Sequence, residues 1–406
     1  MKIAIVSYEF PPHNSVGGVA FYSYNLARLL AKKNDVYVFS GISSLATSFD
    51  ETYEDGFKSI RILTESGTHF KFDVVEIFSF YHSLICFELI ESPEVGACAL
   101  QIKRQFPTLP LCVKLHTPCS FLGKYVVANM PHSLKVYWFL KWIFSGFKNS
   151  LSSFHSPRKE SDCEYHIISC ADRVYSPSRE LAFQLSNFWN LKIRIDIIKN
   201  FYLFESDFAK YILAEKLKTF NDNFTITFVG KLSFLKGADV LFKILRALIS
   251  SNNRISVNII GNDESDIFGK KYLSKYSDVI SSYGSRLKIF NRLSNGNVID
   301  TLKNTHLVII PSFWENQPTV IFESFSSGCL VLANNVGGIP EVIIHNETGF
   351  LIPDNNIKLY IKYILSVYNS KSLYKRICSN SINYLSKEFN TEYFYSSQMK
   401  FYQSLF

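Results

Sequence analysis

Short apolar runs alternate with stretches of helical periodicity along most of the chain, beginning with KIAIVS at Lys2–Ser7 and followed by a helical pattern over Val19–Ala31. In the first half, strands are expected at Lys2–Ser7, Val36–Ser40, Phe57–Leu63, Asp73–Phe78, Leu111–His116, Arg173–Tyr175 and Lys192–Ile198, with a further helix over Ser178–Phe188. A polar, weakly patterned segment, Phe204–Asn223, interrupts the series. The alternation then restarts with strands at Phe224–Gly230, Ile255–Gly261, Arg286–Phe290, Leu307–Pro311, Leu330–Ala333 and Gly349–Ile352. Helices are expected to begin near Ala238, Asn297 and Pro318, and the tail Ile357–Phe406 reads as helical throughout. Strand–helix alternation of this kind builds parallel sheets. The expected fold is therefore α/β, with two Rossmann-like, doubly wound domains over 1–203 and 204–385 facing an interdomain cleft. Residues 386–406 are expected to return as a helix onto the first domain. In such sheets ligands bind beyond the carboxyl ends of the strands.

Composition changes this picture little. The chain has 406 residues, 47% hydrophobic and 19% charged, which suits folded domains and excludes a disordered chain. No apolar run reaches the length of a membrane span, and the amino-terminal run reads as a strand, not a signal peptide. Eight cysteines without C-x-x-C spacing read as reduced, mostly core residues of a cytoplasmic protein. Charge is more informative. The net is 43 − 35 = +8, and Gln101–Lys159 alone carries nine Lys or Arg and no acid.

Five constellations lie at strand ends. Gly17 and Gly18 open the first helix and let backbone N–H groups approach a phosphate. Lys231 and Lys236 flank the loop after Phe224–Gly230 and can clamp a diphosphate from two sides. In PSFWENQPTVIFE (Pro311–Glu323), Pro318 suits the first helical position. Glu315 then lies on the loop, with Glu323 between one and two turns into the helix. Carboxylates so placed accept hydrogen bonds from the vicinal hydroxyls of a sugar or ribose. VGGIPEV (Val336–Val342) follows the next strand, and His116 closes Leu111–His116, where it can hydrogen-bond or carry a proton.

In this order the five resemble the retaining glycosyltransferases of family 4, which have the GT-B fold (glycosyl transferases group 1). The similarity rests on PSFWENQPTVIFESFSSG followed by NNVGGIPEVIIHNETGFLIP, and extends to ADRV with SPS at 171–178 and to IKN at 198–200. The resemblance implies that Glu323 holds the nucleotide ribose and Glu315 the donor sugar hydroxyls. It implies that Lys231 and Lys236 neutralise the leaving diphosphate with help from Gly17 and Gly18. Backbone near Gln317, Thr319 and Val320 would contact sugar and phosphates, and His116 would lie beside the anomeric centre. It further implies a retaining, metal-independent hexosyltransferase without a cofactor, its donor a UDP- or GDP-sugar. Three positions depart from the pattern: Lys231 stands where Arg is commoner, Asn291 where glycine is, and Cys329-Leu330 replaces an x-Pro pair. Asn tolerates backbone angles similar to those of glycine.

Within the acid-free stretch, SLKVYWFLKWIFSGFKN (133–149) interleaves Lys135, Lys141 and Lys148 with Trp138 and Trp142. That pattern suits an anionic membrane surface and a saccharide or lipid-linked acceptor. The expected role is bacterial surface polysaccharide or lipopolysaccharide synthesis, peripheral on the cytoplasmic membrane. No nucleic-acid-binding motif accompanies the basic residues. A non-catalytic nucleotide-sugar-binding protein and a sugar-nucleotide epimerase on the same fold are the alternatives.

Overall fold

The computed structural model describes residues 1–13, 17–129, 136, 159–220, 223–249, 254–266 and 269–406. The chain divides into two units, Met1–Lys199 with Glu392–Phe406, and Asn200–Thr391.

The first unit is built on an eight-stranded sheet: β1 (Lys2–Val6), β2 (Asp35–Ile42), β3 (Phe49–Glu54), β4 (Phe57–Leu63), β5 (Leu89–Pro93), β6 (Leu111–Lys114), β7 (Arg173–Ser176) and β8 (Ile195–Ile197). Its order is β3-β4-β2-β1-β5-β6-β7-β8. All pairs are parallel except β3 with β4, a hairpin closed by Asp55-Gly56, both at positive φ as a tight primed turn requires. The accompanying helices are α1 (Gly18–Leu30), α2 (Gly67–Ile85), α3 (Leu100–Gln105), α4 (Cys119–Asn129), α5 (Cys163–Cys170) and α6 (Arg179–Trp189). Asp73–Phe78, expected as a strand, lies inside α2. The buried residues Phe70, Val74, Phe78 and Tyr81 recur at helical spacing, and that stripe decides the element. The strand pairing with β1 on that side is instead β5, all five of whose residues are buried.

The second unit begins with α7 (Ser206–Lys218), a helix within the segment expected to be irregular. Then follow β9 (Phe224–Val229), α8 (Ala238–Ile249), β10 (Ile255–Ile260), α9 (Tyr272–Lys275), α10 (Ser277–Tyr283), β11 (Leu287–Phe290), α11 (Asn295–Lys303), β12 (Leu307–Ile310), α12 (Thr319–Ser326), β13 (Leu330–Asn334) and β14 (Phe350–Ile352). The tail forms α13 (Ile357–Tyr368), α14 (Lys371–Glu388) and α15 (Thr391–Gln403). The six strands order as β11-β10-β9-β12-β13-β14, all parallel. Numbered within the unit this is 3-2-1-4-5-6, the doubly wound arrangement, with its switch point between β9 and β12. Both sheet faces are covered. Leu307, Ile309, Leu330 and Leu332 enter one apolar cluster, and Val308, Ile310, Val331 and Ala333 enter the other.

Buried polar groups tie elements together. Lys216 on α7 is 4% exposed and donates to the carbonyls of Leu302, Thr305 and Ser327 at 2.9, 2.5 and 2.6 Å. It thereby caps the carboxyl ends of α11 and α12 with a cation. Cys329 Sγ lies 3.2 Å from the same ammonium, which gives the departure at this position a local packing role. All eight cysteines are free, but only Cys98, Cys112, Cys329 and Cys378 are buried, while Cys86 and Cys119 are exposed. Asn291 is not at positive φ, so the backbone there does not demand glycine. No helix among the described residues is long and apolar enough to cross a membrane.

Candidate active site

At the switch point of the second unit, the loops after β9, β12 and β13 interlock. Phe313 N–H donates to the Leu235 carbonyl at 2.8 Å, and the Phe234 and Phe313 rings stack with centroids 4.8 Å apart. Gly237, at φ +71°, passes so close to Pro311 that a Cβ there would lie 1.9 Å from its carbonyl oxygen. This register brings Lys236 to Glu315. The ammonium Nζ is 2.6 Å from Glu315 Oε1, and Ser312 Oγ donates to the same oxygen at 2.8 Å. From the other side, Gly338 N–H donates to the Glu315 carbonyl at 3.0 Å. Gly337 permits that approach, since a Cβ on it would come within 1.9 Å of the same carbonyl oxygen. Asn334 Nδ2 holds the Ser312 carbonyl at 2.9 Å, and Tyr360 OH donates to Asn334 Oδ1 at 2.8 Å. Glu315 is thus fixed through both side chain and backbone.

Pro318 is the residue before α12 and not its first, with extended angles (φ −68°, ψ 127°). No side chain caps this end, and an uncapped helix start is the kind of terminus that favours an anion. Glu323, the fifth residue of α12, is 7% exposed, and among the described residues its carboxylate has no hydrogen-bond or ion-pair partner. Burial alone pushes its pKa up from 4.5 to about 7. Gln317 is buried, and its Oε1 accepts from Asn200 N–H at 3.4 Å. Lys231 extends from the β9 loop and pairs with Glu264 Oε1 at 3.1 Å, both half exposed. Glu264 is held there because its N–H donates to the Leu232 carbonyl at 3.1 Å.

In the first unit, Gly17 precedes α1 at φ +106°, and Gly18 is that helix's first residue. Glu9 Oε2 stands 4.0 Å from where a Gly17 Cβ would be, so a carboxylate borders this turn. β6 ends at Lys114, two residues before His116. The His116 ring packs edge-on against Tyr22, with centroids 5.6 Å apart, and Lys114 Nζ sits 3.1 Å from the centre of that same Tyr22 ring. Burial, reinforced by the Lys114 cation, holds His116 well below its ordinary pKa. It is a neutral imidazole, suited to hydrogen bonding and poorly suited to carrying a proton. Beneath it Glu91 accepts from Tyr175 OH at 2.6 Å and from Tyr402 OH at 3.0 Å. Burial raises the Glu91 pKa to about 8. Lys135, Trp138, Lys141, Trp142 and Lys148 lie outside the described residues.

The second unit therefore brings Lys236 and Glu315 together and sets Glu323 on the helix that follows. Ser312 and Asn334 belong to the same cluster, and Glu264 pairs with Lys231; none of the three is among the residues the sequence pointed to. Ser312 lies within the quoted motif, whereas Glu264 and Asn334 meet their partners only through sheet register.

Residues 211–384 match the model of the family described as glycosyl transferases group 1. That match lies within the second unit. A capsular polysaccharide biosynthesis glycosyltransferase, CapM of Staphylococcus aureus, is 24% identical over 188 residues, 44% of this chain and 46% of that protein. The chain spans only a third to a half of the length of the first curated relatives it matches. Solved structures share the whole two-unit fold. A sucrose-phosphate synthase from Thermosynechococcus elongatus superposes with a TM-score of 0.75 at 17% identity, covering 100% of this chain and 99% of that one. Anabaena Alr3699/HepE in complex with UDP-glucose gives 0.66 at 16% identity, with both chains covered completely. The fold is that of the GT-B glycosyltransferases.

Proposed function

We propose that the protein is a glycosyltransferase that moves a sugar from a nucleotide-diphosphate sugar to a saccharide or lipid-linked saccharide. One observation carries the reading. α12 and the loop before it present a fixed carboxylate (Glu315) beside a lysine, an uncapped helix end, and a buried carboxylate (Glu323) with no partner among the described residues. In this reading Glu323 accepts the ribose hydroxyls. The N–H groups of Thr319 and Val320, with Lys231 and Lys236, take the diphosphate, and charge that builds up on the leaving oxygen is met by those cations. Glu315 orients the sugar hydroxyls, Gln317 contacts sugar or phosphate, and neutral His116 donates or accepts at the sugar. Gly17 and Gly18 add backbone N–H groups.

Transfer with retention and without metal is proposed on the family resemblance, and no enzymic nucleophile is assigned. The UDP complex of the Anabaena protein supports a nucleotide-sugar donor, with a UDP- or GDP-sugar expected. The capsule-related relative supports a role in surface polysaccharide synthesis. An anionic membrane surface as partner rests on the Lys135–Lys148 run alone.

Incubation with nucleotide sugars and a membrane extract, followed by detection of released nucleoside diphosphate and of label in saccharide, tests this. Transfer should be seen in the wild type and drop by about 10²-fold in Glu315→Gln, the order expected when one oriented electrostatic contact is lost. Tight nucleotide-sugar binding without transfer to any acceptor would favour a binding protein instead.

A further inference from the structure

Two carboxylates in the first unit take part in none of this. β1 and β5 mark its switch point, where the sheet order reverses and a ligand crevice is expected. Glu94 immediately follows β5 and is completely buried. Its Oε1 accepts the backbone N–H groups of both His116 and Thr117, each at 2.7 Å. Its Oε2 is buried and has no partner among the described residues. Glu164, on α5 and 8% exposed, does the same for the two ends of this region. Oε2 accepts from Cys119 N–H at 2.7 Å and Oε1 from Gly96 N–H at 3.2 Å. Four backbone donors from the loops after β5 and β6 thus converge on two acids, and three of the four belong to His116–Cys119.

We propose that Glu94 and Glu164 are positioning residues that latch the His116–Cys119 loop, and with it the His116 imidazole, at the sugar-transfer site. The assignment of His116 to that site rests on the function proposed above; the latch itself rests on the four hydrogen bonds. The chemistry of the pair gives it a condition. Burial, with the Glu164 charge beside it, raises the Glu94 pKa to about 8, and Glu164 is raised as well, chiefly by burial. The other groups bearing on the pair are Asp162, which caps α5, the thiols of Cys98 and Cys119, and Lys114 on β6, itself pushed down by burial. At neutral pH the Glu94 carboxyl keeps its proton, and Oε2 is a neutral group without a partner. Above about pH 8 the carboxylate becomes a fully buried charge with Oε2 unpartnered beside a second acid, and the loop must open to hydrate it.

Amide hydrogen exchange on the full chain tests the latch without any assay of transfer. Protection factors of the His116, Thr117 and Cys119 amides should fall about tenfold or more between pH 7 and pH 9 in the wild type. They should stay level in Glu94→Gln, whose amide oxygen still accepts both N–H groups and cannot ionise. Glu164→Gln, which removes the neighbouring charge that helps raise the Glu94 pKa, should shift the fall to lower pH. Thermal unfolding confirms that each variant is folded. Level protection in the wild type, or the same fall in Glu94→Gln, overturns the latch. In the transfer assay, the alkaline limb of kcat should flatten in Glu94→Gln. A limb unchanged while protection flattens overturns the link to His116. Should no transfer be found at all, the proposed function fails and exchange still decides the latch.

Discussion

Lys236 and Glu315 are 79 residues apart in sequence and 2.6 Å apart in space, their side chains paired on the interlocked loops that follow β9 and β12. The cation proposed for the diphosphate is therefore held by the carboxylate proposed for the sugar. Donor binding must redistribute this pair, so each partner should tune the other. Lys236→Ala should weaken a nucleoside diphosphate more than the bare nucleoside. Glu315→Gln should leave diphosphate affinity equal or tighter while transfer falls. Calorimetry with both ligands reads the split, and parallel losses for nucleoside and diphosphate would contradict it.

Glu323 should make donor binding depend on pH. With its pKa near 7 it is largely protonated at pH 6 and ionised at pH 8. An ionised carboxylate is the stronger acceptor for ribose hydroxyls, so nucleotide-sugar affinity should rise several-fold across that range. A nucleotide sugar is the right probe because its diphosphate diester does not titrate there. The linked effect on the unliganded protein has the opposite sign. The folded state keeps a proton that the unfolded chain releases above about 4.5, so this contribution to stability is lost as pH rises from about 4.5 to 7. Both slopes should vanish in Glu323→Gln.

How much of this was legible in sequence depends on how local each signal is. The Pro311–Glu323 motif was readable because strand end, loop and helix start are contiguous, and so Glu315 and Glu323 fell where expected. The Lys236–Glu315 pair was not, since it follows from the sheet order placing β9 beside β12. β5 was hidden by its own acid: Glu91 breaks the apolar run LIESP, yet two tyrosines from distant elements satisfy it. The β-branched and aromatic run at Asp73–Phe78 imitates a strand, and only the wider stripe from Phe70 to Tyr81 reveals a helix. β3 carries one local signal, the Asp55-Gly56 turn that closes its hairpin with β4. Glu94 and Glu164 carried none, because their partners are backbone groups of a distant loop.

Gly337 should be intolerant of any side chain. At φ +53°, with a Cβ falling 1.9 Å from the Glu315 carbonyl oxygen, Gly337→Ala must displace the loop that carries Glu315. Transfer should fall by at least an order of magnitude in a protein that still unfolds cooperatively. Wild-type turnover in this variant would show that the Glu315 loop needs no such fixing.

Lys216 offers a test of stability away from the site. Lys216→Met keeps the apolar stem but leaves the carbonyls of Leu302, Thr305 and Ser327 without their cation. The expected cost is about 3 kcal/mol, as for other buried acceptors left without a partner. Denaturant unfolding should show the loss, and a change below about 1 kcal/mol would mean the carbonyls find other donors.

The central claim is that α12 and its preceding loop bind a nucleotide-sugar donor. Thermal unfolding with UDP-, GDP-, dTDP- and ADP-linked sugars, in the wild type and in Glu323→Ala, tests it most directly, because a ligand that binds only the folded state raises the midpoint. One base series should stabilise the wild type and fail to stabilise the variant. Stabilisation by no member, or equal stabilisation of both proteins, would contradict the account.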